Sequence, residues 1–201
     1  MKGRTNVRVG VAAALLGAAA PARAHLVETG FGGFYDGVAH VLLTPADLLV
    51  VLALALLAGQ RGARAARWTL LAFPAAWFAG AAFGAFVPGD GALPVLTTLT
   101  FGVTGALVAL NARLPPGAVA ALSVAVGLVH GYVNGATMAP GGAGALEVTG
   151  AVTAVFCLYT VVAAYVTTVR VAWGRIAVRV AGSWVSAAGI LMLGWLARGS
   201  V

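Results

Sequence analysis

The stretch from Gly33 to Gly59, GFYDGVAHVLLTPADLLVVLALALLAG, decides how the chain is read. From Leu48 onward it is an unbroken apolar run, long enough with the residues before it to cross a bilayer of about 30 Å. Yet its first half carries Asp36, His40 and Asp47, in a chain with only five acids and three histidines. Ionisable groups at the mouth of an apolar run are costly unless they have a use.

The whole composition agrees with a membrane setting. Of 201 residues, 61% are hydrophobic and 8% are charged, and the mean hydropathy is +1.00. A soluble domain carries about a quarter charged residues, so this chain cannot cover a water-facing surface. The net charge of +7 does not mark a nucleic-acid binder. The basic residues are spread thinly between apolar runs, as topology determinants are. The single cysteine, Cys157, lies inside an apolar run, which excludes an intramolecular disulfide and a CxxC motif.

The first 24 residues read as a cleaved signal peptide. Lys2, Arg4 and Arg8 form a positive start, Val9 to Ala20 an apolar core, and Ala22-Arg23-Ala24 a cleavage pattern. The mature chain would begin at His25. Removing Lys2, Arg4, Arg8 and Arg23 leaves eight arginines against five acids, a net charge of +3. Residues 25–201 form one domain with six apolar runs, at 36–59, 68–87, 93–111, 117–138, 147–169 and 177–197. The expected fold is therefore all-α: a polytopic membrane protein with six transmembrane helices after a cleaved signal peptide.

Arg61, Arg64 and Arg67 follow the first run, Arg113 the third, and Arg170, Arg175 and Arg179 the fifth. The other two connections hold Asp90 and Glu147 but no Lys or Arg. The positive-inside rule then places the mature N-terminus and the C-terminus outside the cytoplasm, in a bacterial inner membrane. The signal peptide independently requires the same N-terminal side. Gly80-x-x-x-Gly84 and Gly127-x-x-x-Gly131-x-x-x-Gly135 form small-residue faces. These suit packing inside the bundle or a homo-oligomer contact, and spacing does not decide between them.

On this topology every acid and histidine falls on the outer side or in the outer part of the bilayer. If the first helix begins early, Asp36, His40, Thr44 and Asp47 point to about 0°, 40°, 80° and 20° and share one stripe. If it begins at Pro45, residues 31–44 become a re-entrant or interfacial segment, and Asp47 sits near a helix N-terminus. His130, Asn134 and Met138 recur every four residues on one face of the fourth run. Imidazole with carboxylate suits a divalent transition metal, and a carboxylate beside a ligating histidine fixes its tautomer. The candidate metal residues are Asp36, His40, Asp47 and His130, with His25, Glu28, Asn134, Met138 and Glu147 as accessory ligands. Simple interhelical hydrogen bonding is the competing use of the same side chains. No G-x-S-x-G, H-E-x-x-H or phosphate-binding glycine loop occurs, so an enzyme is not expected.

The segment AHLVETGFGGFYDGVAHVLLTPADLL (Ala24–Leu49), with VHGY (Val129–Tyr132), resembles the HupE/UreJ family of hydrogenase and urease accessory proteins. It is closest to a divergent branch with the pattern YDGVAHxLLTPxDLL. The resemblance implies a permease for nickel or cobalt as substrate, with no permanently bound cofactor, and carries His40, Asp47 and His130 over by role and place. It also shows departures. Leu48 follows Asp47 where the nickel-permease pattern has an adjacent Asp-His pair. Tyr132, Val133 and Asn134 follow His130-Gly131 where that pattern has a Glu. The alternative function is a non-transporting accessory protein that binds metal outside, copper included, and assists metalloenzyme maturation.

Overall fold

The computed structural model describes residues 28–87, 93–138 and 144–199. The signal-peptide reading, His25 and Asp90 lie outside the described residues. All regular structure among the described residues is helical: α1 (Gly33–Leu43), α2 (Pro45–Arg61), α3 (Ala63–Phe86), α4 (Pro94–Ala109), α5 (Pro116–Met138), α6 (Ala145–Thr168) and α7 (Ala172–Gly199). Four of these, α3, α5, α6 and α7, are long and apolar enough to cross a membrane. The pair α1 and α2 passes the same test jointly, although bent by 75°, and α4 is a shorter apolar helix.

Pro45 decides between the two readings of the first run. It stands in the first turn of α2, where a missing N–H costs nothing and the fixed φ suits a helix start. The residue before a proline is pushed out of the α region, and Thr44 is extended at φ −86° and ψ 107°. Its N–H closes α1 on the His40 carbonyl at 2.9 Å, while its own carbonyl opens α2 by accepting from the N–H groups of Asp47 and Leu48. One continuous stripe of Asp36, His40, Thr44 and Asp47 therefore does not exist. The run expected at 36–59 is a broken pair of helices.

The centre of the bundle is α2. Val50, Val51, Ala53, Leu54, Ala55, Leu57 and Ala58 are all fully buried, so this all-apolar stretch is enclosed by its neighbours. Neighbours α3, α4 and α6 supply most of that cover. The other extensive pairings are α3 with α5, α4 with α7, α1 with α6 and α3 with α6.

Glycine makes these pairings close. A Cβ on Gly80 or Gly84 would lie 2.4 and 2.2 Å from the Leu128 and Tyr132 carbonyl oxygens. In return, a Cβ on Gly131 or Gly135 would lie 2.0 Å from the Trp77 and Ala81 carbonyls. Both small-residue faces singled out in the sequence are thus used within the chain, against each other. The same device joins α1 to α6, where Gly37 meets the Glu147 backbone and Gly150 that of Phe34.

A Gly84→Val substitution should lower the unfolding free energy of the detergent-solubilised protein by about 1–3 kcal/mol, because α3 and α5 must separate. Gly117→Ala, whose new Cβ would sit 4.0 Å from Trp68, should move it by no more than about 0.5 kcal/mol. Thermal unfolding of the two variants beside the parent checks this.

Candidate functional site

Asp47 lies in the first turn of α2, 3% exposed, just past the break at Thr44. A carboxylate is favoured at a helix start, where free N–H groups and the helix dipole face it. At this depth it also needs partners from other helices. His130 on α5 brings Nδ1 to 2.7 Å from Asp47 Oδ1, and the Asn134 amide donates to Asp47 Oδ2 at 2.9 Å. The four-residue spacing that puts His130 and Asn134 on one face of α5 thus delivers both to a single carboxylate. His40, at the end of α1, holds Nε2 3.8 Å from the same Oδ2.

The far side of the His130 ring is also held. Its Nε2 lies 2.8 Å from Thr100 Oγ1 on α4, and Thr100 Oγ1 donates to the Thr97 carbonyl at 2.7 Å. A threonine hydroxyl has one hydrogen. Donor and acceptor at the ring nitrogens follow the tautomer, and both nitrogens have a polar partner, Thr100 at Nε2 and Asp47 at Nδ1. The Trp77 indole on α3 lies against the imidazole, ring centres 5.5 Å apart. Five helical segments, α1 to α5, therefore meet at one buried polar cluster.

Two atoms of the cluster are unsatisfied. Asn134 Oδ1 and Trp77 Nε1 are buried without a hydrogen-bond partner, which costs about 1–3 kcal/mol for each such group. His40 is the member with room: its side chain is 18% exposed and makes no hydrogen bond among the described residues. Among the described residues no three His, Cys, Asp or Glu side chains are placed together as a ready cation cage. The donors open to a cation are the His40 ring, the outward lone pairs of Asp47 Oδ2 and the free Asn134 Oδ1. Both ring nitrogens of His130 are already engaged.

The other candidates lie elsewhere. Asp36 accepts from the Thr29 N–H and hydroxyl, both at 2.6 Å, and so caps the segment before α1 rather than joining Asp47. Glu147 opens α6 and packs over Gly33, near Asp36. Glu28 is exposed. Met138 continues the α5 face but is buried in the apolar core. Thr100 and Trp77 were not singled out by sequence reasoning. Neither belongs to a motif, and only the threonine-rich Thr97–Thr100 run hinted at a polar patch on α4.

An apolar helical bundle with four or five candidate membrane spans and a buried carboxylate–imidazole cluster beside a helix break fits the class of membrane proteins. The family described as HupE / UreJ protein matches residues 13–192, and the chain belongs to that family. No curated protein and no solved structure gives a significant match.

Asp47→Ala should lower stability by about 3–5 kcal/mol, since it strands His130 and Asn134 in a buried site. In the double variant with His130→Ala the loss should fall short of the sum of the single losses by about 0.5–3 kcal/mol. A double-mutant cycle by thermal unfolding in detergent checks the coupling. Strict additivity would mean the two side chains do not act as a pair.

Proposed function

We propose that this protein is a secondary transporter for a divalent transition-metal ion, nickel or cobalt first, in a bacterial inner membrane. The observation that carries this reading is Asp47 at the break of the α1–α2 pair, with the free imidazole of His40 above it. Secondary transporters place ion sites near the membrane midplane, at discontinuous helices and at the interface between repeated halves. Here the discontinuous α1–α2 pair meets α5 through Asp47, His130 and Asn134. Asp47 is fourteen residues before Arg61 and His130 is fourteen after Pro116. Both therefore stand about 21 Å from the arginine-bearing end at 1.5 Å per residue.

In this reading α4 is a sixth crossing, the α1–α2 pair is one interrupted span, and the arginine-bearing end faces the cytoplasm. The ion arrives from outside at His40, replaces the weak 3.8 Å attraction between His40 and Asp47, and takes Asp47 Oδ2 and Asn134 Oδ1 as further donors. His130 acts through Asp47, fixing the carboxylate from its other oxygen, as a hydrogen-bonded partner steadies a metal ligand. Asp36, Glu147 and Glu28 add negative charge at the outer entrance. Movement would follow existing gradients, since the chain carries no nucleotide-binding loop.

One observation favours the second reading, a metal-binding accessory protein without transport. Beyond Asp47 the path to the other end holds no acid or histidine, and it emerges among Arg61, Arg170, Arg175 and Arg179. A cation leaving that way meets only positive charge.

Purified protein in liposomes loaded with a metal-sensitive dye separates the two. Transport predicts saturable nickel or cobalt entry that His40→Ala reduces at least about tenfold, the scale of losing one ligand. Equilibrium binding without entry selects the accessory role. Neither binding nor entry in correctly folded protein sinks both.

A further inference from the structure

At the end opposite the Asp47 cluster the structure holds a cleft of about 720 Å³. It is lined by the end of α2 (Gln60, Arg61), by Asn111, and by the connection from α6 into α7, which brings Thr167, Thr168, Arg170, Arg175 and Arg179. Arg61 thus shares one cavity with Arg170, Arg175 and Arg179, which lie more than a hundred residues further along the chain. Two are anchored: Arg61 donates from Nη2 to Asn111 Oδ1, and Arg179 donates from Nε to the Ala109 carbonyl at 2.9 Å. The side chains of Arg170 and Arg175 are exposed and hydrogen-bond to nothing among the described residues. Arg61 Nε and Gln60 Oε1 are buried at this cleft with no partner.

No counter-charge is built in. The segments 59–68, 109–117 and 166–179 contain no Asp or Glu, and no acid follows Glu147. Orienting topology needs arginines near this end, but it does not need them gathered around a cavity with donors left open. Planar guanidinium groups match phosphate oxygens in pairs, whereas the Thr167 and Thr168 hydroxyls on the same wall donate to the Ala164 and Tyr165 carbonyls. The depth is also informative. Trp68, Tyr165 and Trp173 are exposed around this end, and Arg64 lies over the Trp68 ring at 4.9 Å. Exposed Trp and Tyr collect where a bilayer's head groups lie.

We infer that this cleft binds a phosphate-bearing anion, presented by the head group of an anionic phospholipid or as free phosphate. Basic pockets between membrane helices on the cytoplasmic side hold such head groups. Arg170 and Arg175 engage the phosphate directly, while Arg61 and Arg179 form the fixed back of the site. The inference is independent of the metal chemistry proposed above.

The test uses the full chain, delipidated in detergent. Native mass spectrometry follows retention of added phosphatidylglycerol, cardiolipin or phosphatidylcholine, and titration calorimetry follows inorganic phosphate. Arg170→Gln with Arg175→Gln should weaken binding of the anionic species at least about tenfold, as expected from about 1 kcal/mol per basic residue. Arg64→Gln with Arg67→Gln, at the same end but outside the cleft, should leave it nearly unchanged. Circular dichroism and gel filtration establish that each variant is folded, and Arg175→Gln alone serves should the double variant fail. Saturable phosphate heat lost in the cleft variant, without lipid retention, identifies the free anion as the occupant. Equal retention of anionic and zwitterionic lipid with no phosphate heat overturns the inference. So does an equal loss in the two double variants, which would mean diffuse surface charge.

Discussion

A carboxylate withdrawn from water must be given partners, and Asp47 obtains them from α5. Much of the arrangement around it follows from that requirement. The helix start at Pro45 supplies N–H groups on one side, His130 and Asn134 on the other, and Thr100 holds the imidazole from behind. Because α5 reaches α2 mainly through these polar contacts, the cluster is a specific fastening in an otherwise apolar core. Such a group is expensive in a membrane, and one that remains there marks a site.

The close helix contacts and the polar cluster solve different problems. Apolar helices in lipid gain little from burying one another, so association rests on close backbone approach and on interhelical hydrogen bonds. Gly80 and Gly84 interleave with Gly131 and Gly135 to bring α3 and α5 together. That contact fixes the position of α5, and with it the height at which His130 and Asn134 face α2. Packing thus sets the geometry of the site, while the site sets which helix faces meet. The two ends of the bundle differ in the same spirit: acids and the free imidazole at one, guanidinium groups around a cleft at the other.

Much of this was legible from residues alone. The apolar runs fall at the helices, the described arginines other than Arg198 gather at one end, and the pairing of His130 with Asn134 on one face was visible from their spacing. The resemblance carried by Ala24–Leu49 and His130–Tyr132 agrees with the family match over residues 13–192. Asp36 shows where residue spacing fails. A helical wheel assumes an unbroken helix, and the extended backbone at Thr44 turns Asp36 away toward Thr29. Pro45 announced that break, but a proline is compatible both with a kink and with a new start.

By itself the sequence determined the membrane class, the order of the helices and the supply of ionisable groups, because these depend on composition and on contacts within a few residues. Only the tertiary structure decided which carboxylate meets which imidazole. It also decided that His130 is spoken for at both nitrogens while His40 is open, and that Arg61 shares one cleft with the arginines of 170–179. The reason is physical. In an apolar bundle many helix pairings bury similar surface, and the choice among them is made by where glycines permit close approach and where a buried charge can find its partners.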